Sequence, residues 1–476
     1  MEKDITNSDD TKQLTPQEQK LATKGIPRLV LTYSIPTIIG MLVNALYVVV
    51  DRFFIGQIPD IGPDALAGIG LAAPITNITF SFSLMLGVGA AASISIALGN
   101  RNREKAERIL GNTLALNVLF AIILTIVVSI FLEDPLIAVG ATYATLPFAL
   151  AYTRIMIFGL ILSFMSFAMN HPIRASGNPK RFASAQMLGA VLNTILSPLF
   201  IFTFSMGIEG AAYATILSQG ITAVWVMSFY LGKRFGGSTI KIRLKNLMPD
   251  PKIILTICAI GIAPFFMQVL ASTVIIVANN MLLHYGYIEF GNGDMALGAF
   301  TVISSVAMIF IMPVFGINQG TQPIIGFNYG AGNIARVKQA YRYAVMYALV
   351  LTVLGVIIVL ALAPQLMLAF GGDPLMTEIG SVGMRIMLFT MPIAGFQGNT
   401  AGFFMAIGRA KVSLMLSVLR QGLILIPLYF ILPLLFGFIG IWYATPIADI
   451  ISAGITFVMI FKEFKKLDAR LVPQNI

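Results

Sequence analysis

Arg154-Ile155-Met156-Ile157-Phe158 returns as Arg385-Ile386-Met387-Leu388-Phe389, a spacing of 231 between positions 154 and 385. Working outward, the same spacing carries Ala175-Ser176-Gly177 onto Ala406-Ile407-Gly408, and Gly99 and Asn102 onto Gly330 and Asn333. Tyr213-Ala214-Thr215 recurs as Tyr443-Ala444-Thr445 at 230. Pro36 and Asp51 map onto Pro264 and Asn279 with their separation unchanged. One fold is written twice. So long a period in an apolar chain signals duplicated lobes rather than a solenoid of short repeats.

The repeated unit is a membrane unit. Of the 476 residues, 57% are hydrophobic and 11% charged, where a soluble domain carries about 25% charged residues. Apolar stretches long enough to cross a bilayer recur from Leu29 to Phe461, the mark of spanning helices. A barrel is excluded, because runs such as 115–131 show no polar and apolar alternation. Spans are predicted at 29–57, 65–99, 110–132, 145–170, 184–205 and 210–231. The second set is 253–283, 295–328, 343–363, 380–405, 412–432 and 439–461. The expected fold is an all-α membrane protein, with twelve transmembrane helices in two six-helix pseudo-repeat lobes. Residues 1–28 form a tail, 29–231 the first lobe, 232–252 a linker, 253–461 the second lobe and 462–476 a second tail. Six spans per lobe makes the repeats parallel, an arrangement in which transporters hold substrate between lobes that rock.

The net charge of +10 invites a nucleic-acid reading, but its distribution excludes one. Lys and Arg concentrate in every second loop, as in Arg101, Arg103, Lys105 and Arg108, then Arg174, Lys180 and Arg181, then Lys233, Arg234, Lys241 and Arg243. Arg336, Lys338 and Arg342, then Arg409 and Lys411, then Lys462, Lys465, Lys466 and Arg470 continue the pattern, while the other loops carry Glu133, Asp134, Glu289, Asp294, Asp373 and Glu378. Cytoplasmic loops hold such a basic excess, so both termini are expected in the cytoplasm. The segment 1–26 is polar, with no short apolar core before a cleavage site, and reads as an uncleaved tail. Cys258 is the single cysteine, so no internal disulfide and no thiol metal cluster is expected.

Asp51 is the residue on which a function turns. It lies deep in the first apolar segment with Phe53-Phe54-Ile55 still to come, and an ionised carboxylate in hydrocarbon is costly enough that it normally marks an ion path. Asn193 and Ser197 stand at i and i+4 and share one helix face. Pro36 removes a backbone hydrogen bond inside span 1 and predicts a bend that can act as a hinge. Asp449 lies midway along span 12, opposite Gln219 of the first half. With Gln268, Asn279 and Asn280 it makes a candidate substrate cavity, and Gln319, Gln322, Gln397 and Asn399 extend this neutral polar set. The 24 methionines suit a promiscuous pocket. Catalysis finds no support: His171, read as a cytoplasmic loop residue, and His284 belong to no metal-binding pattern. No glycine run has nucleotide-binding lysine spacing. Energy is expected from an ion gradient, with no cofactor.

The residues taken together resemble the multidrug and toxic compound extrusion (MATE) family. Pro36, Asn44, Tyr47 and Val50-Asp51 carry the likeness in span 1. Gly207, Gly210-Ala211-Ala212 and Ala214-Thr215 add to it, as do Gly320, Gln322-Pro323, Gly326, Asn328-Tyr329-Gly330-Ala331 and Asn333. The resemblance implies a V of two lobes in a bacterial or archaeal cytoplasmic membrane, a monomer among lipids. It exports small lipophilic or cationic compounds against inward proton or sodium flow. It also implies Asp51 as the ion-coupling acid, supported by Tyr152, Asn170, Asn193 and Thr215. One position departs: four residues after Asn193 the family commonly has a second aspartate, and this chain has Ser197. A single carboxylate favours the proton. Two other readings compete. A flippase for lipid-linked saccharides wants several basic residues in its cavity, and only Arg154, Arg385 and Arg420 are expected within spans. A receptor or scaffold needs no buried acid at all.

Overall fold

The computed structural model describes residues 14–59, 61–138, 141, 143, 145–231, 239–370 and 374–469. Lys233, Arg234, Asp373, Arg470 and the outer parts of both tails lie outside the described residues. Ten helices are long and apolar enough to span a membrane, and two further spans are bent pairs. In the first half the spans are Ile26–Gly56, Ala65–Gly99, Arg103–Ile130, the pair Leu146–Phe158 and Leu160–Ala175, Pro179–Thr203 and Gly207–Ser228. In the second they are Pro251–Phe290, Gly293–Gly330, Ile334–Ala369, the pair Pro374–Leu388 and Met391–Ala406, Ala410–Phe436 and Ile439–Ala469. Twelve spans result, here numbered 1 to 12 in chain order.

The bends fall where the repeated stretch ends. Span 4 turns by 59° at Gly159, directly after Arg154–Phe158, and span 10 by 43° directly after Leu388. Thr390 in that second break is the repeat counterpart of Gly159, at the spacing that relates Arg385 to Arg154. The duplication thus preserved the kink as well as the residues that flank it.

Packing obeys the same two-fold relation. Span 1 packs on span 8 and span 7 on span 2, and these two pairs exchange under the repeat. Spans 2 and 8 meet at the axis. A Cβ on Gly99 would overlap the Phe327 carbonyl oxygen, and one on Gly330 would overlap that of Ile96. Gly89 against Ile257 and Gly320 against Ser34 repeat the arrangement. In lipid there is no hydrophobic drive between helices, so small residues that let backbones approach hold spans together by van der Waals contact. All these contacts lie at the end of the molecule that carries the basic loops. A core of Leu29, Tyr33, Leu98, Ile257, Ile324 and Phe327 closes that end across both halves. Toward the opposite end of span 1, Leu46, Val49 and Phe53 are exposed at 63%, 65% and 62%.

A short helix, Pro16–Thr23, straps the closed end. Thr15 and Glu18 form its capping box. Glu18 meets Arg103 of the first half at 3.5 Å, while Arg336 of the second donates to the carbonyls of Leu21 at 3.0 Å and Lys24 at 2.7 Å.

Two residues depart from their sequence assignment. Arg174 and His171 read as members of a basic loop, yet they are 0% and 1% exposed. Arg174 donates to Gln319 of the other half at 2.6 Å and lies over the Phe182 ring. The bend in span 4 carries the chain inward, so a segment that reads as loop becomes part of the interface between the halves.

The glycine contacts make a direct prediction. Gly99→Ala would force two backbones apart and should cost about 1–3 kcal/mol, as overpacking does. Gly70 has no atom within 4 Å of such a Cβ, so Gly70→Ala should keep or slightly raise the melting temperature of the purified protein, alanine being the better helix former. Equal melting temperatures for the two variants would show that close approach at Gly99 is not what holds the halves together.

Candidate ion-coupling site

Asp51 sits one turn before the end of span 1 and is 9% exposed. Span 5 brings Asn193 and Ser197 to it on a single face, as the four-residue spacing requires. The Ser197 hydroxyl donates to Asp51 Oδ1 at 2.8 Å and lies 3.4 Å from Asn193 Oδ1. A serine has one proton to give, so the shorter bond to the carboxylate claims it. Asn193 Nδ2 then donates to Thr215 Oγ1 of span 6 at 3.0 Å, and Thr215 donates back to its own helix at Ala211 O, also 3.0 Å. Tyr152 of span 4 packs beside this chain with Ile55, Ile201 and Ala211. Span 5 becomes π-helical over Leu199–Thr203, immediately beyond Ser197, and such irregular turns occur frequently at functional sites.

No cationic side chain pairs with Asp51 among the described residues. Arg52, its neighbour in sequence, is exposed.

The other predicted residues fall elsewhere. Asn170 donates to the Phe182 carbonyl at 3.1 Å. Phe182 and Asn193 are eleven residues apart on one helix, or about 16 Å at the α-helical rise. Asn170 therefore stands outside the Asp51 cluster. Span 1 runs as unbroken helix through Pro36. Gln268 and Asn279 are half-buried on span 7, while Asn280 is exposed in a shallow groove with His284 and Asp294 near the acidic-loop end.

Asp449 differs most from its reading as a cavity residue. It is 2% exposed, because its carboxylate is already occupied. Arg420 Nε of span 11 donates to Oδ1 at 2.6 Å and Thr390 Oγ1 to Oδ2 at 2.8 Å. The Asp449 carbonyl accepts from Gln397 Nε2 at 2.9 Å. Sequence reasoning had both in-span charges and did not join them. The available signal was one acid and one base on consecutive spans, near the middle of each. A cavity between the halves does exist, of about 90 Å³, lined by Leu84 and Val88 of span 2, Pro264 and Met267 of span 7, and Asn318 and Gln322 of span 8. That is below the roughly 300–1,000 Å³ of ordinary ligand pockets.

With this arrangement in view, comparison with known proteins is decisive for the family. The sequence pattern described as MatE matches residues 36–199 and 266–431, taking in Asp51, Ser197, Thr390 and Arg420. The chain belongs to the MATE family. It is 24% identical over 429 residues to the multidrug export protein MepA of Staphylococcus aureus (strain N315), covering 90% of this chain and 92% of that one. Two solved structures, described as MATE in the straight conformation and MATE in the bent conformation, each align at a TM-score of 0.88 and 25% identity. Both alignments cover 96% of this chain, with 100% and 99% of those chains. The MATE fold thus accounts for the duplicated spans and for the paired kinks.

The two buried acids should respond differently to neutralisation. Asp449→Ala leaves Arg420 without its counter-charge, and breaking a buried pair typically costs about 3–5 kcal/mol. Asp51→Asn removes a buried charge that has no partner, so the folded state should lose nothing. Thermal unfolding in detergent checks both, and a fall for Asp51→Asn as large as for Asp449→Ala would reveal a structural role for Asp51.

Proposed function

We propose that this MATE protein is a secondary antiporter that exports lipophilic cationic compounds in exchange for protons, with Asp51 as the coupling acid. One observation carries the reading. A carboxyl 9% exposed that forms no ion pair among the described residues, its neighbour Arg52 being exposed, favours a site where something mobile cancels its charge. A proton does so, and so does a cationic substrate. The two compete for one site, which is the elementary requirement for exchange. The relative named multidrug export protein MepA supports the export reading.

The proton is favoured over sodium by the ligand set. Sodium keeps its charge and needs several hard oxygen ligands in place of its hydration shell, carboxylates being the best of them. Here one carboxylate is joined only by the neutral oxygens of Ser197, Asn193 and Thr215, and that of Thr215 already accepts from Asn193 and donates to Ala211. A protonated Asp51 is neutral, and its Oδ1 can keep the hydrogen bond that Ser197 donates.

With the basic loops and both termini taken as cytoplasmic, the closed end faces inward and Asp51 lies toward the outer end of span 1. Proton entry at Asp51 from outside would displace a cation. It would then let span 1 change shape near Pro36, and straight and bent conformations of related structures support such a hinge. A ligand drives a cycle of this kind only by binding the two shapes unequally. The flippase reading needs free basic groups for a pyrophosphate. It is disfavoured because a pyrophosphate needs several cations together, while Arg174 is engaged by Gln319 and the charge of Arg420 is already balanced by Asp449.

Purified protein in sealed liposomes tests the reading, with each gradient imposed separately. A pH gradient alone should drive movement of a cationic dye, and Asp51→Asn should abolish it at unchanged protein level. Dye movement driven by sodium at matched pH, and absent with the pH gradient, would overturn the proton assignment. Ser197→Asp supplies the second carboxylate and should make transport respond to sodium. No sodium response in a folded Ser197→Asp protein would mean that carboxylate number does not set ion choice here.

A further inference from the structure

The ion pair of the second half is only partly closed. Asp449 is buried, but Arg420 keeps 28% of its side chain accessible. Only Nε is used on Asp449, and both Nη groups are left without a protein partner among the described residues. Arg420 stands eleventh of the 27 residues of span 11, at a depth where a charged side chain faces a cavity or a partner rather than lipid. Ser413 and Ser417 of the same span line the cavity between the halves, facing Leu84 and Val88 of span 2. Arg420 follows Ser417 by three residues, just inside the turn where the helix changes its pitch. Beside it the Gln421 side-chain oxygen is buried without a hydrogen-bond partner, a polar group awaiting a ligand or water. The helix is π-helical over Leu419–Leu425, the same irregularity that adjoins Ser197 in the first half.

We propose that Arg420 is an anion-binding site of the second half, with Asp449 as its resident counter-charge. The site would take the carboxylate of an amphiphile whose cationic centre is drawn to the first half. The guanidinium presents its free edge as a fork that matches a carboxylate in two parallel hydrogen bonds. Asp449 holds the opposite edge and fixes the plane, so the group is oriented before any ligand arrives. The Gln421 amide, once turned, supplies a further donor. Substrates of this protein therefore include zwitterions as well as simple cations, and the two halves divide the recognition by sign of charge. This assignment rests on the export reading for its physiological meaning, but binding can be measured without transport.

Rhodamine B and its ethyl ester make the test, because they share the cationic xanthene and differ only in the free carboxylate. Fluorescence anisotropy with the full-length protein in detergent reads both affinities. The neutral double variant Arg420→Gln/Asp449→Asn should weaken rhodamine B at least tenfold and the ester less than twofold. Asp449→Asn alone leaves Arg420 without its counter-charge and should tighten rhodamine B several-fold, with little effect on the ester. Equal shifts of both dyes in the double variant, or no shift of either, would overturn the proposal. Should the double variant not fold, the apolar double variant Arg420→Met/Asp449→Leu, which leaves neither charge unpaired, decides: equal shifts of both dyes sink the anion site. Failure of wild-type protein to move the ester under any ion gradient rejects the export reading instead, and leaves the binding result standing.

Discussion

The backbone contact between spans 2 and 8 is the constraint on which the rest of the molecule depends. Gly99 lies against Phe327 and Gly330 against Ile96, and each contact is the two-fold image of the other. Lipid gives helices no hydrophobic reason to associate, so the closeness must come from shape. Once these two spans touch, spans 1 and 7 are placed by the pairs they make across the axis. Span 1 in turn carries Asp51 to span 5, and span 7 forms one wall of the cavity that Ser413 and Ser417 line. A residue with a side chain at Gly99 would therefore disturb more than a local contact. It would displace the frame that positions both polar clusters.

Those clusters show one cost met in two ways. Each half buries a carboxylate near the middle or outer part of its spans, beside a π-helical stretch. In the second half Arg420 supplies the opposite charge permanently, and the pair is fixed by Thr390. In the first half Asp51 takes a hydrogen bond from Ser197 and forms no ion pair among the described residues. The repeat explains why a division of labour was open to the chain. At the position equivalent to Asp51 stands Asn279, so among the described residues the second half has no buried acid without an ion pair.

Much of this was legible in the sequence, for identifiable reasons. Spans, their pairing across the repeat and the depth of Asp51 follow from hydropathy and spacing, which are one-dimensional properties. The cluster of Asn193, Ser197 and Thr215 was legible because an i, i+4 face and a matched motif fix their direction. What was not legible is direction around a helix axis where no periodicity marks it. Asp449 and Arg420 were each visible as in-span charges, yet nothing in the sequence says that their side chains point at one another. Asn170 matched a motif but lies beside the far end of span 5, at Phe182. Arg174 and His171 look like loop residues until the 59° bend of span 4 turns them inward.

The closed end also sets an energetic scale for any motion. Its van der Waals contacts are individually weak and break without leaving orphaned groups. The polar ties are different. Arg336 holds two carbonyls at the end of the Pro16–Thr23 helix, and Arg174 holds Gln319 across the halves. Hydrogen bonds to charged groups contribute about 1.5–3 kcal/mol each, and water entering an opening cleft returns most of that. The remaining imbalance is of the order that a ligand can supply, since reversing a 1:99 population takes about 5.5 kcal/mol of differential binding. A proton at Asp51 meets that requirement only if the carboxyl is unpaired in one shape and solvated in the other. That condition is why the lack of an ion-pair partner for Asp51 among the described residues matters more than the bond it takes from Ser197.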